Sequence, residues 1–97
     1  MSVRVRLGEG FQNDTVTVRI DGQQVYHRAG VSTDWTISRA DSVEVQSAAP
    51  SVRLEVSVQG GPEAAQDIQP GQTPFVEVRL VNDQLQLLPM GEEPPML

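Results

Sequence analysis

Apolar and polar residues alternate along most of this chain, in short segments separated by turn-forming residues. A period of two places successive side chains on opposite faces of a strand, so the alternation predicts β-strands rather than helices. The alternating segments are residues 3–7, 15–20, 25–28, 35–38, 43–45, 52–58, 76–80 and 85–87. Alternation also indicates sheets with one buried and one solvent-exposed face, which is typical of antiparallel sheets.

The number and spacing of these segments predict the fold class. We expect an all-β, antiparallel two-layer β-sandwich of seven or eight short strands. A small closed β-barrel is the alternative, because its strands carry the same pattern. Residues 1–89 are expected to form this single domain, and residues 90–97, with their prolines, a flexible C-terminal tail.

The apolar side chains that face the same side of each predicted strand define a predicted core. Fourteen of the 97 residues are valine, whose branched side chain favours a pleated strand. The predicted core residues are Val5, Val16, Val18, Ile20, Trp35, Ile37, Val43, Val45, Val52, Leu54, Val56, Val78 and Leu80.

One stretch interrupts the alternating pattern for longer than a usual turn. Residues 59–74 contain Gly60-Gly61-Pro62 and are expected to form a mobile loop, because connections of this length are often functional or disordered. Residues 63–67 are the only candidate for a helical turn.

The dipeptide Asp21-Gly22 lies between two alternating segments and is a strong signal for a tight hairpin turn. A two-residue loop pairs Val18 with Val25, points His27 inward and leaves Tyr26 exposed. A three-residue loop reverses this, because a shift of one residue moves every side chain to the other face. We favour the two-residue loop because it buries Val25.

Two aromatic or titratable side chains are candidates for a binding site. His27 is the only histidine and Trp35 the only tryptophan. His27 is suited to acid–base or metal chemistry, but no partner is identifiable from its spacing, so a structural role is the simpler interpretation. Trp35 shares the parity of Ile37, which favours a core position over a ligand-stacking surface.

Charge limits the partners that we expect. The chain has 13 acidic and 7 basic residues and a formal net charge of −6. Repulsion from phosphate therefore disfavours nucleic acid and anionic membranes as partners.

Residue types also limit the cofactors. The chain has no cysteine, which excludes disulfides, thiolate catalysis and cysteine-built zinc sites. Calcium takes six to eight oxygen ligands, whereas the acidic and amide residues here are dispersed among turns, which they favour for local reasons. We expect no metal and no cofactor.

A cytoplasmic location is the expectation from the sequence. No basic segment followed by an apolar stretch begins the chain, and no apolar run is long enough to cross a bilayer.

The C-terminal strand is the strongest candidate for assembly. Residues 84–88 carry no charge, whereas residues 3–7 carry Arg4 and Arg6. These terminal strands are expected to be sheet edges, and charge on an edge prevents unwanted pairing. Leu87 and Leu88 are adjacent, so one must face outward if the other faces inward. A protein partner or a homodimer is expected at this edge, and coverage of the edge by the chain's own tail is the alternative.

Two functions of different class remain open, and no motif in the sequence identifies a specific family. The favoured hypothesis is a non-catalytic interaction or ligand-binding module, with Tyr26, His27, Trp35, Leu87 and Leu88 as candidate binding residues and no catalytic residues. The alternative is a small hydrolase or isomerase whose site assembles around His27 from scattered residues, namely Tyr26, Arg28 and Asp34.

Overall fold

The computed structural model of this chain describes residues 2–34, 36 and 39–91. It contains eight β-strands in these ranges. No helix occurs in these ranges, so the all-β prediction is confirmed. The strands are β1 (Ser2–Leu7), β2 (Asp14–Ile20), β3 (Gln23–Val31), β4 (Asp41–Gln46), β5 (Val52–Val58), β6 (Glu63–Ile68), β7 (Phe75–Val81) and β8 (Gln84–Met90).

The strands form two four-stranded sheets that pack as a sandwich. Sheet A has the order β4-β1-β7-β8, and sheet B has the order β3-β2-β5-β6. Both sheets are open among the described residues, so the structure is a two-layer sandwich and not a closed barrel. β3 and β4 lie on one side of the sandwich, and β6 and β8 lie on the other.

Strand β1 departs from the expected arrangement in two ways. It pairs with β4 on one side and β7 on the other, so it is a central strand and its prediction as an edge is wrong. Its pairing with β7 is parallel, whereas every other ladder between the eight described strands is antiparallel. Parallel neighbours require a long crossover. Here the chain between β1 and β7 passes to sheet B for β2 and β3, returns to sheet A for β4, and passes to sheet B again for β5 and β6.

The core lies between the two sheets and follows the predicted parity. The predicted core residues that are buried are Val5, Val16, Val18, Ile20, Val52, Leu54, Val56 and Val78. Val43, Val45 and Leu80 are partly buried and pack against them. Trp35 and Ile37 lie outside the described residues. The core also contains Val3, Leu7, Phe11, Val31, Val58, Ile68 and Val76.

The turn between β2 and β3 has the two residues that the sequence predicts. Asp21 and Gly22 have φ values of 50° and 81°, as a type I′ turn requires. Ile20 pairs with Gln23 across it.

A β-bulge then reverses the expected faces of β3. The register shifts beyond the turn, so Val18 lies opposite Tyr26 and Val25 is an extra residue. Such a bulge moves the following side chains to the other face. His27 is consequently exposed and Tyr26 partly buried, so the prediction for these two residues is wrong.

Residues 59–74 contain strand β6, so the prediction of a long loop here is wrong. β6 pairs antiparallel with β5 along its whole length. Its alternation is weak in the sequence because Ile68 is its only fully buried residue, while the inward-facing Ala64 is small. An edge strand requires less buried surface than a central one, so polar residues are tolerated here.

Strand β8 continues through Pro89 to Met90, beyond residues 84–88, where the sequence predicted that Pro89 would end it. Pro89 pairs with Val76, and Met90 with Phe75. Proline is compatible with an edge strand because its missing N–H can face away from the sheet. Residues 92–97, which make up most of the predicted tail, lie outside the described part of the chain.

Candidate functional site

The four edge strands of the sandwich differ in charge. Three of them carry charged side chains: β3 has Arg28, β4 has Asp41 and Glu44, and β6 has Glu63 and Asp67. β8 has the sequence Gln-Leu-Gln-Leu-Leu-Pro-Met and carries none. Charges on an edge strand discourage pairing with another strand, so β8 is the edge without this protection.

The turn before β8 determines which main-chain groups this edge presents. Asn82 and Asp83 form a two-residue turn with φ values of 51° and 61°, and Val81 pairs with Gln84 across it. The closing pair of such a hairpin exchanges both main-chain hydrogen bonds, and the direction of the main chain then alternates along the strand. The N–H and C=O groups of Leu85 and Leu87 therefore point away from β7.

We call this side of Gln84–Met90 the β8 edge. Among residues 2–34, 36 and 39–91, no strand pairs with it on the side away from β7. The main chain of Pro89 also points away from β7, as at Leu85 and Leu87. Because proline has no N–H, it contributes only a carbonyl oxygen to this edge. The β8 edge thus presents two complete donor–acceptor pairs followed by one acceptor.

The two candidate leucines lie on opposite faces of sheet A. Leu87 pairs with Val78 and packs against the core. Leu88 lies opposite Glu77 on the outer face and is partly buried. Only Leu88 is therefore placed where a partner could contact it on the outer face, while Leu87 contributes its main chain to the edge.

An ionic cluster lies beside Leu88 on the outer face of sheet A. The Glu77 side chain is only 5% exposed and lies between two guanidinium groups. Its Oε2 accepts a hydrogen bond from Arg79 Nη2 at 3.0 Å, and its Oε1 is 3.8 Å from Arg6 Nε. A carboxylate this buried needs such partners to offset its desolvation. The cluster connects β1 to β7, the strand that pairs with β8.

Tyr26 connects the edges of the two sheets. Its hydroxyl donates a hydrogen bond to Asp41 Oδ2 at 2.8 Å, and Arg28 Nη1 donates to the same oxygen at 3.0 Å. Burial, together with the bonded and charged Asp41, raises the pKa of Tyr26 to about 12, and Arg28 partly opposes this shift. Burial acts to raise the pKa of Asp41, but hydrogen bonds from Tyr26, Arg28 and the Ser42 N–H outweigh it and hold that pKa below its usual value.

The residues of the alternative catalytic hypothesis occupy different surroundings. His27 lies opposite Thr17 on the exposed outer face of sheet B, with Nδ1 2.8 Å from Thr17 Oγ1. Asp34 accepts hydrogen bonds from the N–H and hydroxyl of Thr36, which hold its pKa below the usual value. Only Tyr26 and Arg28 contact a common group, the carboxylate of Asp41, which is not among the site residues that the sequence predicts. Trp35 lies outside the described residues.

Two shallow depressions accompany these features. One, of about 250 Å³, lies on the outer face of sheet B and is lined by charges of both signs, among them Arg19, Arg53 and Glu55. The other, of about 150 Å³, lies beside Arg28 and Asp41. His27 lines neither of these depressions.

Within the described part of the chain, no group of three or more histidine, aspartate or glutamate side chains is placed to hold a metal ion. The same residues include no helix that is long and apolar enough to span a membrane. Comparisons with protein-family models, with curated proteins and with solved structures found no match.

Proposed function

We propose that this chain is a non-catalytic interaction module that binds an extended segment of a partner protein along the β8 edge. The observation that carries the proposal is the absence of charge from β8, in contrast to the other three edge strands. Main-chain hydrogen bonds would supply affinity in this mode of binding, and the alternating side chains would supply specificity.

The groups at the β8 edge support strand addition. Leu85 and Leu87 each offer a donor and an acceptor, and the flanking Gln84 and Gln86 are exposed and uncharged. On the outer face, Leu88 adds a partly exposed apolar contact. An added strand would therefore desolvate no charge, which is the main penalty of burying polar edges.

The hydrolase or isomerase alternative receives no specific support. Tyr26 is partly buried and hydrogen-bonded to Asp41, whereas His27 is exposed on the outer face of sheet B. A general base must lie within hydrogen-bond reach of the group that it activates, and the hydroxyl near His27 belongs to Thr17. The cytoplasmic location and the absence of nucleic-acid and membrane partners stay predictions.

Selection of extended peptides tests the proposal. Random peptides displayed on phage would be selected against the full-length chain at low surface density, and the dissociation constants of the recovered peptides measured for three proteins. These are the wild type, Leu87→Ala and Leu87→Pro. Both variants truncate the same side chain, but only proline removes the N–H that points to the partner.

We expect the recovered peptides to bind the wild type and Leu87→Ala similarly. Leu87→Pro should bind them roughly tenfold more weakly, the value of one lost hydrogen bond plus the steric effect of the ring. Circular dichroism on both variants verifies that they are folded. Recovery of no peptide, or equal affinity for the two variants, would contradict strand addition at the β8 edge.

A further inference from the structure

The sequence of β8 is complementary to itself in the antiparallel direction. Leu85 and Leu87 are the two residues with outward-pointing main-chain groups, and they lie symmetrically about Gln86. We infer that the partner strand at the β8 edge is β8 of a second copy of this chain, paired about a two-fold axis at Gln86. This inference rests on the proposed strand addition and names its partner.

The two-fold axis determines the register. Leu85 of one copy lies opposite Leu87 of the other, and the two residues exchange both main-chain hydrogen bonds. The same pair occurs again on the other side of the axis, which makes four hydrogen bonds between the copies. Gln86 lies opposite its own equivalent, in a pair without main-chain bonds.

Side chains match in this register. Leu85 and Leu87 both face the core of their own sandwich. In the dimer interface the apolar cores of the two copies would therefore be continuous. On the outer face, Gln84 lies opposite Leu88 of the second copy. β8 itself brings no charged side chain to this contact, although each chain has a net charge of −6 and the neighbouring edge strand β6 carries Glu63 and Asp67.

The remaining edges restrict the assembly to two copies. The opposite edge of sheet A is β4, which carries Asp41 and Glu44, and the edge strand β3 beside it carries Arg28. Like charges directly opposite each other in a ladder are unfavourable. Pairing through β8 alone uses the same surface on both copies, so the contact closes as a dimer and does not extend into a fibre.

A single cysteine tests the register directly. The chain has no native cysteine, so Gln86→Cys introduces one thiol per copy. Residues opposite each other in a pair without main-chain bonds have Cα atoms about 4.5 Å apart, which lies within the range that a disulfide spans. Gln46→Cys, at an exposed position of the charged edge β4, is the matched control.

Under mild oxidation at high micromolar concentration, we expect Gln86→Cys to become a covalent dimer and Gln46→Cys to remain a monomer. Equal cross-linking of both variants would indicate random collision and overturn the inference. If the tail covers the β8 edge within one chain, Gln86→Cys dimerises only when the chain is shortened to Gly91, and the inference is also wrong.

Charged substitutions at position 86 give a second measurement that needs no covalent bond. Gln86→Lys and Gln86→Glu each place two like charges at the two-fold axis, and each should self-associate roughly fivefold more weakly than the wild type in sedimentation equilibrium. An equimolar mixture pairs lysine with glutamate and should associate at least as tightly as the wild type. A mixture no tighter than its components would contradict self-pairing.

The outcomes also separate this inference from the proposed function. If peptides bind Leu87→Ala in preference to Leu87→Pro while Gln86→Cys remains monomeric, the β8 edge accepts strands but its partner is a different protein. If no peptide distinguishes the two Leu87 variants, strand addition itself is wrong.

Discussion

Gly10 shows how closely one residue can be constrained by a distant main chain. Its φ is +97°, and a Cβ at this position would overlap the carbonyl oxygen of Leu80. The neighbouring Glu9 carbonyl accepts a hydrogen bond from the Leu80 N–H at 2.9 Å. The loop after β1 is thus held against the end of β7, and only a residue without a side chain fits between them.

Gly10→Ala should therefore destabilise the protein strongly. We expect a loss of at least about 3 kcal/mol in the free energy of unfolding, because steric overlap adds to the cost of a left-handed backbone. Gly22→Ala is the control, since Gly22 also has positive φ but a Cβ there would have no atom within 4 Å. It should lose about 1 kcal/mol. Equal losses in urea denaturation would contradict the close approach to Leu80.

The titration of Tyr26 offers a second measurement on single residues. Tyr26 is the only tyrosine, so tyrosinate absorbance reports its pKa directly. The folded protein should titrate near pH 12 and the urea-unfolded chain near pH 10. Asp41→Asn should lower the folded value, because it removes the charge that disfavours tyrosinate, while burial keeps part of the shift.

The same shift determines the direction of the alkaline stability change. Between pH 10 and pH 12 the unfolded chain has lost the Tyr26 proton and the folded protein still holds it. The unfolded state binds fewer protons, so stability falls as the pH rises through this window. Tyr26→Phe should not show this part of the decline in denaturant midpoint. An identical decline in the variant would mean that other groups cause it.

At the scale of the strands, position in the sheet separates β1 from β8. Val5 lies between Val43 of β4 and Val76 of β7, and its side chain is fully buried. Leu85 and Leu87 have a strand partner on one side only among the described residues. The two terminal strands of the chain therefore differ in how strongly they are held, although both show the same alternating pattern.

Amide hydrogen exchange should show this difference residue by residue. We expect the amides along β1 to exchange only on global unfolding, because both sides of that strand are paired. Along β8 of the weakly associating Gln86→Lys variant, protection should alternate, with slow exchange at position 86 and Leu88 and fast exchange at Leu85 and Leu87. Uniform or reversed protection along β8 would contradict the assignment of which N–H groups point toward β7 and which point away from it.

At the scale of the whole molecule, several aspartates among the described residues accept hydrogen bonds from nearby main-chain or side-chain groups at separate places. Asp14 Oδ2 accepts a hydrogen bond from the Gln12 N–H, and Asp21 Oδ1 accepts one from the Arg53 N–H, each at 2.8 Å. Asp41 is bonded by Tyr26 and Arg28. The Asp14 bond lies within one loop, as its residue type favours. The bonds of Asp21 and Asp41 connect separate strands, and no other histidine, aspartate or glutamate pair among the described residues joins any of these carboxylates in a group that could hold a metal ion.

Added calcium should consequently leave the thermal stability unchanged. An ion raises the melting temperature only if it binds the native state more tightly than the unfolded chain. We expect a large molar excess of calcium to shift the midpoint by less than about one degree relative to a sample with chelator. A rise of several degrees would show that carboxylates from separate loops do converge on an ion.

The sequence alone determined the features that depend on neighbouring residues. Alternation placed Val16, Leu54 and Val78 on buried faces, because side-chain direction in a strand follows from local geometry. Asp21-Gly22 predicted a two-residue turn, because these residue types tolerate positive φ. The absence of charge from β8 was equally visible, and it remains the basis of the proposed site.

Only the tertiary structure decided which strands are neighbours. β1 is a central strand because it pairs with β7, which lies far along the chain. β6 forms a strand despite its weak alternation because it pairs with β5. The bulge at Val25 exchanged the faces of Tyr26 and His27, which brought Tyr26 to Asp41. Pairing between distant segments depends on how their surfaces fit when the whole core is assembled, and alternation within each segment carries no information about it.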